Sequence, residues 1–169
     1  MSSLIAALAA ALLLAAQHPG MPQGMSHDEH LKQLQKDEEL KKRGAEAMGF
    51  DQSAVTHHFR LTSDGGSIEV TVKDATDATT ITAVRSHLQT IASDFSRGEF
   101  GKPIQTHAEI PPGVPEMRKS RQQIAYRYEV LPEGGAVRID TKDARALEAV
   151  HAFLRYQITE HKTADPIDR

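Results

Sequence analysis

A strand–strand–helix unit occurs twice in this chain, and that repeat limits the folds open to it more than any other feature. The first unit reads VTHHFRLTSDGGSIEVTVKD and continues as TDATTITAVRSHLQTIASDF. The second reads IAYRYEVLPEGGAVRIDTKD and continues as ARALEAVHAFLRYQITEH. Each alternates apolar and polar residues, turns at Gly-Gly, alternates again and then changes to helical spacing. Val55, His57, Phe59 and Leu61 share one face of the first strand, and Ile68, Val70 and Val72 share one face of the second. Ile124, Tyr126, Tyr128 and Val130 do the same in the third, and Val137 and Ile139 in the fourth. The helices carry the stripes Val84, His87, Leu88, Ile91, Phe95 and Leu147, Val150, His151, Leu154, Ile158, with His161 one turn further. Both stripes need an apolar surface, and the sheet offers one. The expected fold is α+β: two ββα repeats forming a four-stranded antiparallel sheet with two helices on one face, over residues 53–162.

Four-residue loops at Ser63–Gly66 and Pro132–Gly135 would set Arg60 opposite Glu69, Glu129 opposite Arg138 and Arg127 opposite Asp140. Three opposite-charge pairs in one register favour that register and make the other face of the sheet a solvated, charged one. The link between the repeats, 98–119, holds Pro103 and PPGVP at 111–115 and reads as a stiff irregular crossover.

Ahead of the repeats lies a second kind of sequence. Ser26-x-x-Glu29 is a capping-box pattern, and 28–49 is dense in charge with acid before base at i,i+4 (Asp28/Lys32, Asp37/Lys41, Glu38/Lys42, Glu39/Arg43). A charged, exposed helix with a thin stripe of Leu31, Leu34, Ala45 and Met48 is expected, ended by Gly49 and docked only weakly. Before it, HPGMPQGMSHDEH (18–30) is a Pro/Gly tether, counted as 18–27 up to the helix. It carries His18, Met21, Met25, His27 and His30, side chains that suit copper or zinc. Leu4 to Ala16 is an unbroken apolar run with the length of a signal-peptide core, too short for the ~20 residues of a membrane span. No basic segment leads it. The expectation is a signal at 1–17, a mature chain in the periplasm or outside the cell with no membrane span, and a disordered tail at 163–169.

Composition removes several chemistries. With 20 Lys+Arg against 23 Asp+Glu there is no basic excess for a nucleic-acid backbone. Cys is absent, which removes disulfides, thiolate metal sites and Cys nucleophiles. Neither GxxxxGK[ST], GxGxxG nor GxSxG occurs.

Histidine, at nine residues, is the type in excess. His57 is in phase with the inward residues of its strand, and His87 and His151 fall inside the two helical stripes. A buried imidazole without a partner costs roughly 1–3 kcal/mol, so each needs a hydrogen bond or a metal. Three neutral imidazoles around one point are an open zinc or copper site. His57, His87 and His151 are the candidate ligands, with His107 and Met117, which flank the proline loop, as possible additions. His58 points to the other face.

The stretches AMGFDQ (47–52), THHFRL (56–61), DGGSIEVT (64–71), PPGVP (111–115) and HAFLRYQITEH (151–161) resemble a family of small exported bacterial proteins encoded near heavy-metal and copper-resistance genes. The resemblance covers nearly the whole mature chain and implies export and a role in metal handling. Aspartate carbamoyltransferase, a name sometimes attached to such proteins, has no support here: the Ser-Thr-Arg-Thr-Arg phosphate motif is absent and those enzymes are roughly twice this length. Three readings stand at this point. The first is an exported binding protein for a transition metal, copper by preference. The second is a metal-free module docking a periplasmic protein partner through the charged sheet face. The third is a three-His metal-dependent enzyme.

Overall fold

The computed structural model describes residues 26–168, and the chain divides into two units after Lys36. The apolar run at 4–16 and His18, Met21 and Met25 of the tether lie outside the described residues. Among the described residues no helix is long and apolar enough to cross a membrane.

The first unit, as described, is the opening of helix α1 (His27–Met48). Its start is the expected capping box: the Ser26 amide donates to Glu29 Oε2 at 2.9 Å and the Glu29 amide to Ser26 Oγ at 3.3 Å. His27 and His30 of the tether stand in this first turn, and Leu31 and Leu34 are exposed.

The second unit holds the two repeats. Strands β1 (Val55–Thr62), β2 (Gly65–Val72), β3 (Ile124–Leu131) and β4 (Gly134–Thr141) form one antiparallel sheet in the order β1-β2-β4-β3. The fold is α+β, as the repeat requires. Helices α2 (Ala78–Ser96) and α5 (Ala144–His161) pack on its apolar face, α2 toward β3 and β4, α5 toward β1 and β2. Each helix starts on an aspartate whose carboxylate accepts a backbone amide: Asp77 from Thr80 at 3.0 Å, Asp143 from Ala146 at 2.9 Å. The two hairpins correspond residue for residue, with Thr62 matching Leu131, Phe59 matching Tyr128 and Gly65 matching Gly134. A pseudo-twofold axis therefore passes between β2 and β4. Its mark is a reciprocal pair of hydrogen bonds, from the Val72 amide to Glu133 O and from the Thr141 amide to Asp64 O, both 2.8 Å.

The hairpin register differs from the expected one by two residues. Thr62 pairs with Gly65 and Leu131 with Gly134, so each turn has two residues in its loop, not four. The reason lies in the glycines, which are strand residues and not turn residues. A Cβ on Gly65 would sit 1.8 Å from Ile139 O, and one on Gly134 would sit 2.0 Å from Val70 O. The first glycine of each pair lies where β2 and β4 approach each other, and the second against its own hairpin partner, Gly66 at Arg60 O and Gly135 at Tyr128, places that only glycine fits. A two-residue shift keeps every side chain on its face, so the charged pairs survive as diagonal neighbours: Arg60–Glu69 at 3.3 Å, Arg138–Glu129 at 3.0 Å and Arg127–Asp140 at 2.6 Å.

The crossover is more regular than expected. Two short helices, α3 (Gly101–His107) and α4 (Val114–Lys119), occupy it. Pro103 and Pro115 each fall in a first turn, where the missing amide has no helical partner to lose. The second half of α1 is buried along Leu40, Gly44 and Ala47, not along the Leu31–Leu34 stripe. Small residues allow that approach, since a Cβ on Gly44 would meet Gln52 Nε2 at 1.3 Å. Arg43 Nε donates to Thr106 O at 3.0 Å, and Lys162 pairs with Asp37. The tail is also tied down over its described part. Asp165 accepts the Phe59 amide at 3.0 Å and bonds His58 Nδ1 at 2.9 Å, closing the outer edge of β1. An edge strand needs a cover, and this segment places one at Phe59.

Candidate functional site

Between the sheet and α1, α2, α3 and α5 lies a cavity of about 60 Å³, room for an ion or a few waters. Four imidazoles line it, those of His57, His87, His107 and His161. The remaining wall is apolar (Phe59, Ile68, Val70, Leu88, Ile91, Phe95, Phe153) apart from Thr106, Gln157, Lys102 and the thioether of Met48. No carboxylate lines it.

Each ring arrives from a different element. His57 comes from β1, whose alternation turns it inward between Val55 and Phe59. His87 comes from α2, one residue before Leu88 and edge-on to Phe50, with centroids 5.6 Å apart and planes at 88°. His107 is the last residue of α3, fixed by a left-handed Ala108 at φ 57°. His161 ends α5, one turn past Ile158. His161 is central to the group. Its ring stacks on His57 at 5.3 Å between centroids and 22° between planes, and meets His107 edge-on at 5.2 Å and 84°.

The hydrogen bonding of these rings is incomplete. His107 Nε2 donates to Gln157 Oε1 at 3.0 Å, which leaves Nδ1 as the ring's lone-pair nitrogen, buried and without a partner. His57 Nε2 and His87 Nδ1 are likewise buried and unpartnered. Burial also settles their charge. It pushes His57 down to about 4, with a further push from His58, and His87 down to about 4, with Lys102 and His57 adding repulsion. Burial lowers His161 to about 3, helped by His57 and His107, and it lowers His107 as well. All four rings are thus neutral at pH 7, and the group is a set of uncharged nitrogen donors.

The structure brings together His57, His87 and His107 of the candidates read from the sequence. It does not bring His151. That ring sits further up α5, where its Nε2 faces the carbonyls of Thr62 at 2.9 Å and Gly65 at 3.0 Å and holds the first hairpin turn. Met117 is fully buried in the apolar core and does not line the cavity. The residues missed are His161, whose place one turn beyond the α5 stripe was the available signal, and Met48, which ends α1. Among the described residues no three His, Asp or Glu side chains are arranged to hold an ion as they stand. Closing the rings on one ion therefore requires side-chain rotation within the cavity.

Comparison with protein-family models, curated proteins and solved structures finds no match to this chain.

Proposed function

We propose that this chain is an exported copper-binding protein, and that its cavity takes one Cu(I) ion from the donors of His57, His87, His107 and His161 with Met48 beside them. The observation that carries the reading is the set of three buried ring nitrogens without partners around one small cavity. Each costs roughly 1–3 kcal/mol as it stands, and a shared ion would recover that. The spacing supports it. Rings bound to one ion at ~2 Å in tetrahedral arrangement stand about 5 Å apart between centroids, so the 5.2 and 5.3 Å of the His161 contacts could be kept while the stacked rings of His57 and His161 turn their nitrogens toward one point. His107 also has the outer support typical of a metal ligand, its second nitrogen donating to an amide oxygen.

The choice of metal follows from charge. With no carboxylate in the lining and Lys102 at the wall, nothing offsets the charge of a bound cation. The desolvation cost scales with the square of that charge, so a divalent ion such as zinc carries a roughly fourfold penalty over a monovalent one. Imidazole with thioether is a soft donor set that suits Cu(I), while Mg²⁺ and Ca²⁺ need the oxygen ligands that are missing. Lys102 is held off, since its Nζ donates to Ala47 O at 3.1 Å.

The experiment is a competition titration of the full chain with Cu(I) against a chromophoric chelator. The variants are His57→Ala with His107→Ala, and His27→Ala with His30→Ala. Loss of one tight equivalent in the cavity variant but not in the α1 variant is the expected result. Equal copper uptake by the wild type and the cavity variant would overturn it.

A further inference from the structure

The two outer edges of the sheet are treated differently. At β1 the tail reaches the outward backbone, as the Phe59 amide donates to Asp165 Oδ2 at 3.0 Å. That bond also fixes which amides face outward, because they alternate: 55, 57, 59 and 61 in β1. By the correspondence of Phe59 with Tyr128, the outward amides of β3 are those of Tyr126, Tyr128 and Val130. Among the described residues nothing hydrogen-bonds across this edge between Ala125 and Val130; Arg85 reaches only the turn, at Leu131 O, Pro132 O and Gly134 O. Val130 on this strand is 64% exposed, the most exposed large apolar side chain among the described residues. An open, partly apolar edge strand is a template for another strand.

The sequence of the edge says which strand fits. We infer that β3 pairs antiparallel with β3 of a second copy, about a twofold axis at Tyr128, joining two sheets into one of eight strands. This register follows from two independent requirements. The outward amides and carbonyls of Tyr126, Tyr128 and Val130 must face one another, which places the axis at one residue of 126–130 and leaves charge to choose among them. Charges must also oppose. With the axis at Tyr128, Arg127 lies opposite Glu129 of the second copy and Glu129 opposite its Arg127. Tyr126 meets Val130 and Ala125 meets Leu131, each twice. Arg127 and Glu129 then fall in the non-hydrogen-bonded pairs, where side chains approach most closely. An axis at Arg127 or Glu129 sets that charge against its own copy, and an axis at Tyr126 or Val130 pairs no two charges within the strand. The ion pairs already present, Arg127–Asp140 and Arg138–Glu129, would continue across the junction as one ladder of alternating sign. The occupant is a second copy because the strand is complementary in charge to itself when reversed.

The test is sedimentation equilibrium of the full chain over a concentration series reaching the millimolar range. A reversible dimer is expected for the wild type. Val130→Pro removes an outward amide and no bond inside the sheet, so the variant stays folded by far-UV circular dichroism and dimerises at least tenfold more weakly. Glu129→Arg weakens the dimer similarly, and Arg127→Glu combined with Glu129→Arg restores it. Hydrogen exchange adds a local readout, with the Tyr128 amide becoming protected as concentration rises. A wild type that is monomeric throughout overturns the inference. So does a dimer indifferent to Val130→Pro, or one that responds to Asp165→Ala instead, which would place the contact at β1. Copper titration of Val130→Pro separates this result from the cavity reading, since the edge lies outside the cavity lining.

Discussion

The ring of His57 lies stacked on that of His161, 5.3 Å between centroids and 22° from parallel, although 57 is on the first strand and 161 ends the last helix. Two neutral rings in van der Waals company, with His57 Nε2 unpartnered, hold the fold together less well than two apolar rings would. His57→Phe is therefore expected to stabilise the protein by about 1 kcal/mol at pH 7 while removing one of the proposed copper donors. Urea midpoints and the copper titration check both halves. A loss of stability beyond ~1 kcal/mol would mean that the histidine nitrogen has a partner after all.

Acid should unfold this domain through the same rings. Unfolded histidines protonate near 6.5, whereas His57 and His87 wait until about 4 and His161 until about 3. Between these values the unfolded chain binds more protons. Stability is then complete above pH 6.5 and falls as pH drops toward 4, each ring contributing a slope of up to about 1.4 kcal/mol per pH unit. Urea midpoints taken from pH 7 down to about pH 4.5 should show this, and His57→Phe should remove about one ring's share of the slope. A flat profile over that range would contradict neutral burial.

The glycine seam gives a sharp contrast between two substitutions. Gly134→Ala places a Cβ 2.0 Å from Val70 O on a backbone that cannot yield without parting β2 from β4. A loss of roughly 2–4 kcal/mol is expected. Gly101→Ala meets nothing within 4 Å in the first turn of α3 and should be neutral or up to ~1 kcal/mol stabilising. Thermal melts of the pair test the seam directly.

Asp165 should matter more than a residue outside helix and strand usually does. Its side chain is only 6% exposed and serves both the Phe59 amide and His58. Asp165→Ala leaves that amide and ring without their acceptor, with an expected loss of about 1–3 kcal/mol. Asp165→Asn retains an oxygen acceptor and should lose less. Chemical denaturation of both variants separates the lost hydrogen bonds from a general effect of the tail.

The repeat made the sheet, its two helices and the inward phase of His57 and His87 readable from the residues, because period 2 and period 3.6 report which way a side chain points. Periodicity does not report height. His151 and His161 share a helix, yet ten residues of rise set them about 15 Å apart, and only the packing shows that His161 is the one at the cavity. His107 lies outside either repeat, so no pattern could give its direction; its approach depends on α3, which forms inside a proline-containing crossover. The register was misread because Gly-Gly serves turns and close strand crossings equally well in sequence. The charged pairs could not separate the two registers, since a shift of two leaves each Arg diagonal to its acid.

The cover over β1 has a consequence for synthesis. Phe59 and Asp165 are 106 positions apart, so the first strand of the described residues is finished only after both repeats have followed it from the ribosome. Until then its backbone is open to any neighbouring chain. A chain lacking the segment around Asp165 would keep its hydrophobic core and lose this cover, so that segment guards an edge it does not itself belong to.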